Sequence, residues 1–261
     1  MEMQTGGQYF QCLAMHTNNR LKANWVKIIT AIILIATLFI LPSFSPSQLE
    51  NRILYHVVSP QENELVFFWK DESGENYKDF QRLKQALNNK GKLLKFAMNG
   101  GMYQTDLSPQ GLYVENGKVL SPLNNRQKGY GNFYMQPNGI FYITNNLEAH
   151  VTSSDGFTNE NVKYATQSGP MLVINGTMHH RFIKGSENLN IRNGVGILPN
   201  GDVLFAISKD KINFYDFATF FMEKGCENAL YLDGFVSKVY SPENQREDIG
   251  GTFGVIIAEI E

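Results

Sequence analysis

The chain has 261 residues, a formal net charge of −2 at pH 7, and acidic and basic residues interspersed along its length. This length suits one well-filled domain, and the lack of any long run of one charge sign excludes the electrostatic footprint of a nucleic-acid-binding protein. Of its two cysteines, Cys12 precedes and Cys226 follows an apolar N-terminal segment, so an exported domain would hold no internal disulfide, and Cys226 is predicted to be a buried small hydrophobe.

The apolar segment covers residues 28–41 and carries no charge. Three basic residues precede it, and a stretch rich in proline and serine follows. Positive flank, apolar centre and polar exit are typical of a secretory signal or an uncleaved signal anchor. The run is shorter than the roughly 20 residues of a comfortable bilayer span, so anchoring in the inner membrane stays open. We therefore expect residues 1–47 to be a cytoplasmic or signal segment and residues 48–261 to be an exported, periplasmic or cell-envelope domain.

The domain opens with two predicted strands, residues 52–59 and 64–70, which a turn-rich linker should pair as neighbours. A helical pattern follows from Asn76, with Asp79 placed for a capping contact in its first turn. Residues 90–91, Lys-Gly, should end this helix. Its apolar positions recur at helical spacing: Tyr77, Phe80, Leu83, Ala86 and Leu87.

A strand predicted at residues 93–98 leads into a region with repeated turn signals. Asn-Gly pairs occur within residues 116–117, 137–139, 175–176 and 199–201, each between stretches of strand character. Asn-Gly is the strongest short hairpin signal, because both central residues of the favoured turn need positive φ. We therefore predict an α+β fold, with a largely antiparallel or mixed β-sheet core and a few packed helices in a single domain.

The last predicted helix and strand place a carboxylate at a strand end. The helix is expected at residues 217–224, with Asp216 as its N-cap and Gly225 as its end. The apolar strand that begins at Ala229 then ends in Asp233, and a glycine follows. A buried strand with an acid at its mouth holds a catalytic group rigidly. Asp-Gly is also a frequent turn dipeptide, so Asp233 alone fits either role.

Four segments share a design in which an apolar strand meets glycine and a polar residue: 97–101, 167–171, 192–196 and 232–234. Glycine lets a ligand or a neighbouring backbone come close. Asparagine, arginine and aspartate supply a hydrogen-bonding amide, a fixed cation and a base. Each segment by itself fits a turn with a bulge, so the information lies in their combination and order.

In combination the segments resemble the phosphodiester glycosidase family, which includes the animal uncovering enzyme, and the match is closest to the bacterial envelope branch of that family. The resemblance covers roughly residues 93–257. It rests on five sequences in order: Asn-Gly-Gly-Met-Tyr, Gln-Ser-Gly-Pro-Met-Leu-Val with a later Asn-Gly, an arginine leading into Gly-Val-Gly-Ile, Leu-Tyr-Leu-Asp-Gly, and Thr-Phe-Gly-Val-Ile-Ile. It implies an exported hydrolase that cleaves a sugar-1-phosphodiester in an envelope glycan or a lipid-linked sugar.

On the matching positions, the resemblance implies that Asp233 is nucleophile or general base at the anomeric carbon, that Arg192 holds the phosphate and that Asn99 orients a sugar hydroxyl or amide. A sugar joined through phosphate has a good leaving group, so the acid assistance of ordinary glycosidases is less necessary. One carboxylate and one cation could then suffice, with no cofactor and no metal. Tyr103 and Tyr113 fit either sugar stacking or core packing. The residues implied to bind substrate or give it access are Gly100, Gly101, Ser168, Gly169 and Gly234.

Two other functions stay open. Phe235 and Val236 follow the Asp-Gly pair where the family usually has glycine and serine, and their bulk could narrow the cleft. The alternative is therefore a non-catalytic envelope module that binds phosphorylated glycan. A metal-dependent phosphodiesterase is disfavoured, because the adjacent His179 and His180 would point to opposite faces of a strand.

Overall fold

The computed structural model describes residues 48–233 and 236–261, and these residues form three antiparallel β-sheets and two α-helices. The antiparallel pairing within each sheet confirms the predicted α+β fold. The apolar helix predicted at residues 28–41 lies outside the described residues, so the boundary of the domain stays a prediction. Within the described ranges, neither helix has the length and apolar character that a membrane crossing requires.

The elements are given in chain order, strands first. The strands are β1 (Ile53–Val58), β2 (Glu64–Phe68), β3 (Leu94–Asn99), β4 (Tyr113–Glu115), β5 (Lys118–Ser121), β6 (Gly139–Thr144), β7 (Ala149–Ser153), β8 (Val162–Ser168), β9 (Met171–Ile174), β10 (Thr177–Met178), β11 (Asn193–Ile197), β12 (Val203–Ser208), β13 (Ala229–Asp233), β14 (Val239–Ser241), β15 (Arg246–Glu247) and β16 (Ile256–Ile260). The helices are α1 (Phe80–Asn89) and α2 (Phe214–Glu223). The six-stranded sheet has the order β1-β12-β11-β13-β9-β10, the β3 sheet has the order β15-β14-β3-β16-β2, and the β8 sheet has the order β5-β4-β8-β6-β7.

Both faces of the six-stranded sheet are buried. Along β12, Val203, Phe205 and Ile207 point into a central core, whereas Leu204 and Ala206 belong to the cluster that α2 covers. This is the alternation of side chains expected along a strand. The β3 and β8 sheets supply the same central core with Phe96, Met98, Phe141 and Tyr164. A shared core holds the strand ends of the three sheets in fixed relative positions.

The predicted pairing of the first two strands is wrong. β1 pairs with β12, and β2 pairs with β16 in a different sheet. The intervening turn, in which Asn63 N donates to Ser59 O at 2.9 Å, carries the chain from one sheet to the other. Leu54 of β1 and Phe67 of β2 both enter the central core, so the two strands supply the same core from different sheets.

Helix α1 begins four residues later than the predicted start at Asn76. Lys78 has φ +66°, which ends any helical run there, and Asp79 is the N-cap, with its side chain accepting from Arg82 N at 2.8 Å. Phe80 and Leu83 are buried against the β3 sheet, as their spacing predicts.

Helix α2 begins three residues before the predicted start, and its N-cap is Asn213 rather than Asp216. The Asn213 side chain accepts from Asp216 N at 2.8 Å, and Asp216 lies in the first turn. Asparagine is as good an N-cap as aspartate, and a start at Asn213 includes Phe214 in the helix, where its side chain is buried in the cluster that α2 covers. The helix ends before Gly225, as predicted.

Two of the four Asn-Gly pairs form the expected two-residue hairpins. Residues 116–117 join β4 to β5 and residues 175–176 join β9 to β10, with positive φ at both positions of each turn. Residues 199–201 lie in a longer loop between β11 and β12. The hairpin expected at residues 137–139 does not form, because Asn138 is buried and donates to Phe133 O at 3.1 Å, which fixes the chain before β6.

Candidate active site

Three strand ends from two sheets meet at Asp233. Asp233 ends β13 and is the register partner of Asn193, the first residue of β11. Asn99 ends β3 in the other sheet, yet its Nδ2 donates to Asp233 Oδ2 at 3.1 Å, across 134 positions of sequence. The structure therefore brings together two of the three predicted catalytic residues, Asp233 and Asn99, and adds Asn193.

Asn193 cross-links the other two residues. Its Nδ2 donates to both Asn99 O and Asn99 Oδ1 at 3.0 Å, and its Oδ1 accepts from Asp233 N at 2.8 Å. All these groups are buried, so each bond satisfies a polar atom that water would not reach. Asn193 was not among the predicted site residues, which included its neighbour Arg192 instead. Alternation of side chains along a strand indicates that only one of two adjacent residues can face Asp233, but it does not say which one.

The amide of Asn99 has one possible orientation. Its Oδ1 accepts from the backbone N of Lys238 at 2.9 Å as well as from Asn193. A backbone N–H can only donate, so the oxygen must face Lys238 and the NH₂ group must face Asp233. The carboxylate thus receives an N–H donor, which stabilises its charged form.

Two buried serines brace the end of β13. Ser237 Oγ donates to Asp233 O and lies 3.3 Å from Asn193 Oδ1. Ser168 Oγ, at the end of β8, donates to Leu232 O at 2.6 Å and is fully buried. The hydroxyl proton of Ser168 is therefore engaged with the backbone, and its predicted role as a donor to substrate would require that bond to open.

The glycines predicted to admit or bind substrate lie in close contact with other parts of the chain. A Cβ on Gly100 would lie 2.5 Å from Ile257 Cγ1, one on Gly101 would lie 2.6 Å from Thr166 Oγ1, and one on Gly169 would lie 2.6 Å from Asn138 Cβ. These close approaches explain why glycine is needed at each position. Their role in admitting substrate stays a prediction. Gly234 lies outside the described residues.

The side chain of Arg192 does not join Asn99 and Asn193 at Asp233 but points into the protein interior. Its guanidinium donates from Nε to Ile212 O at 2.9 Å, from NH1 to the Tyr231 hydroxyl at 3.2 Å, and from NH2 to the backbone and side-chain oxygens of Asn188 at 2.9 and 3.2 Å. The residue has no exposed surface. A phosphate could contact Arg192 only through a solvent-accessible edge of the guanidinium, and in this structure the guanidinium is completely buried.

The guanidinium of Arg192 also stacks 3.6 Å from the ring centroid of Phe214. Burial lowers the pKa of Arg192, and the contact with Tyr231 opposes that effect. Because the same guanidinium ties the segment before β11 to the start of α2, Arg192 holds the chain immediately beside Asn193. Its contacts are those of a positioning residue.

Tyr103 lies on the Asp233 side of the protein, whereas Tyr113 belongs to the core. The Tyr103 hydroxyl donates to Thr252 O at 2.6 Å, and burial together with the negative charge of Asp233 raises the pKa of Tyr103 to about 12. Tyr113 is completely buried and donates to Glu115 at 2.6 Å. Of the two, only Tyr103 is placed to touch a ligand.

His179 and Cys226 are both buried in the described chain. His179 has Nε2 3.0 Å from Gln136 O and accepts from Arg181 N at its Nδ1, and burial lowers its pKa to about 4. Cys226 is buried, as predicted, and burial raises its pKa to about 12. Within the described ranges, no group of three or more His, Cys, Asp or Glu side chains is arranged to hold a metal ion.

Comparison with known protein families places this site within the matched region. The model of the phosphodiester glycosidase family matches residues 93–249. Among curated proteins, the uncharacterised protein YigE of Escherichia coli (strain K12) is 37% identical over 187 residues, which covers 71% of this chain and 72% of YigE. Asn99, Asn193 and Asp233 all lie within the family match.

Two solved structures share the fold. The catalytic domain of zebrafish N-acetylglucosamine-1-phosphodiester alpha-N-acetylglucosaminidase, auto-inhibited by its pro-peptide, superposes with a TM-score of 0.54 at 14% identity, covering 79% of this chain and 81% of that domain. A hypothetical protein from Synechocystis superposes with a TM-score of 0.50 at 11% identity, covering 80% of this chain and 59% of the other. At these identities the likeness is one of fold.

Proposed function

Because the chain belongs to the phosphodiester glycosidase family, we propose that it hydrolyses a sugar-1-phosphodiester at the bond between the anomeric carbon and the phosphate oxygen. The observation that carries this proposal is the carboxylate of Asp233, held by the amide of Asn99 from a second sheet. A carboxylate fixed at a junction of strand ends is pre-positioned for one attack direction.

The leaving group makes one carboxylate sufficient. As general base, Asp233 takes a proton from water while the water oxygen attacks the anomeric carbon. As nucleophile, it forms a glycosyl ester that water then hydrolyses. In both courses the bond to the phosphate oxygen breaks and its electron pair leaves with the phosphate as a monoester anion, which needs no protonation to depart. A second carboxylic acid is therefore not required.

The family supports the proposed substrate class, and the N-terminal sequence supports the proposed location. The zebrafish neighbour is named for N-acetylglucosamine-1-phosphodiesters, so N-acetylglucosamine linked through phosphate is the first sugar to test. The apolar residues 28–41 and their basic flank support export. We therefore propose that the protein acts in the periplasm or cell envelope, on a glycan or a lipid-linked sugar, with residues 28–41 as signal or inner-membrane anchor.

The test uses the full-length protein, purified in detergent, and a panel of methyl and aryl 1-phosphodiesters of N-acetylglucosamine and glucose. We expect release of free sugar together with the phosphate monoester. Hydrolysis in ¹⁸O-water should place the label in the sugar, because the carbon–oxygen bond breaks. Label in the phosphate would instead identify a phosphodiesterase that attacks phosphorus, and saturable binding without release would identify a binding module.

A further inference from the structure

The proposed reaction requires a positive charge that Arg192 does not offer. A phosphodiester carries one negative charge, and proteins bind it with lysine, arginine or N–H donors. The guanidinium of Arg192 is buried and bonded to Asn188, Ile212 and Tyr231. The phosphate therefore needs a different cation or N–H donor near Asp233.

The backbone of Lys238 is connected to the carboxylate of Asp233 through a single side chain, that of Asn99. Its backbone N donates to Asn99 Oδ1 at 2.9 Å, and the NH₂ group of the same amide donates to Asp233. The register of β14 with β3 pairs Val239 with Met98, which places Lys238 opposite Asn99 at the same end of the sheet. Lysine carries its charge on a flexible four-carbon stem, so the ammonium can extend from that position toward a phosphate on a sugar at Asp233.

The stem of Lys238 runs along an exposed glycine. A Cβ on Gly251 would lie 3.7 Å from Lys238 Cγ, and Gly251 and the next residue, Thr252, are exposed. Thr252 O accepts a hydrogen bond from the Tyr103 hydroxyl. Burial, together with the negative charge of Asp233, raises the pKa of Tyr103. Lys238 and Tyr103 therefore flank the same surface loop beside the carboxylate.

The ammonium of Lys238 is not neutralised within residues 48–233 and 236–261. No salt bridge or hydrogen bond there engages its Nζ, whereas Lys84, Lys90, Lys92, Lys95 and Lys224 each pair with a glutamate. Asp248 accepts from Val239 N beside Lys238, but its carboxylate is paired with Arg246 at 3.0 Å. Lys238 thus keeps a half-buried stem and a charge open to a ligand.

We infer that Lys238 binds the phosphate group of the substrate while Asp233 acts at the anomeric carbon. This inference rests on the proposed function and adds the residue that recognises the leaving group. Asn99 then connects the two roles, since its NH₂ group contacts the carboxylate and its oxygen holds the backbone of the lysine.

The test compares Lys238→Met, Lys238→Arg and the control Lys118→Met, an exposed lysine of the β4–β5 hairpin in another sheet. Methionine keeps the backbone N–H that Asn99 accepts. For Lys238→Met we expect KM for the phosphodiester to rise about ten- to a hundred-fold, with kcat changed only a few-fold, since a charge-assisted contact to the ground state is lost. Competitive inhibition by inorganic phosphate should weaken by a similar factor. Lys238→Arg should retain most of the affinity, and Lys118→Met all of it.

A separate measurement distinguishes failure of this inference from failure of the proposed reaction. Binding of inorganic phosphate to the full-length wild type and to Lys238→Met is measured by calorimetry, whether or not either hydrolyses a diester. If phosphate binds in a Lys238-dependent way but no diester is hydrolysed, the inference is supported and the proposed reaction is contradicted. Turnover with unchanged KM and unchanged phosphate inhibition in Lys238→Met overturns the inference and leaves the reaction in place.

Discussion

Asn99 Nδ2 lies 3.1 Å from Asp233 Oδ2, although the two residues belong to different sheets and are 134 positions apart in the chain. Neither sheet contains the candidate site alone. The packing of the β3 sheet against the six-stranded sheet therefore sets the position of the carboxylate, and a change that disturbs this packing should reach the site without touching it.

Replacement of Asp233 by asparagine should abolish hydrolysis and leave the fold intact. The amide oxygen of the replacement side chain can still accept from Asn99, but an amide neither attacks the anomeric carbon nor takes a proton from water. We expect a loss in kcat of at least about 10³-fold and a melting temperature within a few degrees of wild type. Sugar release and thermal unfolding measure the two effects, and full activity in this variant would remove Asp233 from the mechanism.

Replacement of Asn99 by alanine should lower both activity and stability. It removes the donor to Asp233 and the side-chain acceptor of Lys238 N, while Asn193 Nδ2 keeps only the backbone oxygen of residue 99. Each unsatisfied buried group costs about 1–3 kcal/mol, so the free energy of unfolding should fall by a few kcal/mol in urea titrations. The matched control is Asn63→Ala in the exposed turn after β1, which should change neither quantity. Equal behaviour of the two variants would contradict the role of Asn99.

Arg192→Lys separates the positioning role from the predicted phosphate contact. Lysine cannot reproduce the planar fork that engages Asn188 and Ile212 or the stack on Phe214. We expect the free energy of unfolding to fall by about 3 kcal/mol, typical of breaking a buried charged network. The kcat should fall with it, through displacement of Asn193, while KM stays within a few-fold. A large rise in KM with an unchanged free energy of unfolding would instead show that Arg192 binds the phosphate.

His179 should make the protein less stable in mild acid. Burial lowers its pKa from 6.5 to about 4, and its Nδ1 accepts from Arg181 N, so the neutral ring is the one that fits. Between these two values the unfolded state binds a proton that the folded state refuses, and stability therefore falls as pH falls, by up to about 3 kcal/mol. Urea unfolding at pH 7, 5.5 and 4.5 should show the fall in wild type and less of it in His179→Gln. The exposed neighbour provides the control, since His180→Gln removes only a secondary charge effect on His179 and should keep most of the pH dependence.

Local patterns in the sequence predicted elements well. The Asn-Gly pairs at residues 116–117 and 175–176 specify their turns through backbone conformation alone, and the apolar spacing of α1 identifies its buried face. Partners of strands were harder, because β1 and β2 are adjacent in sequence but join different sheets. Long-range packing, which no local pattern encodes, made that choice.

The candidate site was predicted in part for the same reason. Asp233 at a strand end was readable from the apolar run that precedes it, and the role of Asn99 was implied by the family resemblance of the glycine-bearing segments. The choice between Arg192 and Asn193 was not readable, because it depends on which of two adjacent side chains faces the six-stranded sheet's neighbour. Arginine is the more obvious choice for a phosphate contact, but here the guanidinium of Arg192 bonds to Asn188 and stacks on Phe214 in the protein interior.

The position of β3 between β14 and β16 has a consequence for biosynthesis. Both neighbours of this strand are translated long after it, so a nascent chain that has emerged only as far as β13 carries Asp233 without the sheet that holds Asn99. Domains fold as units once their elements are available. The sheet that holds Asn99 is therefore complete only after residues as far as Ile260 have left the ribosome, so we expect the contact between Asn99 and Asp233 to form late in synthesis.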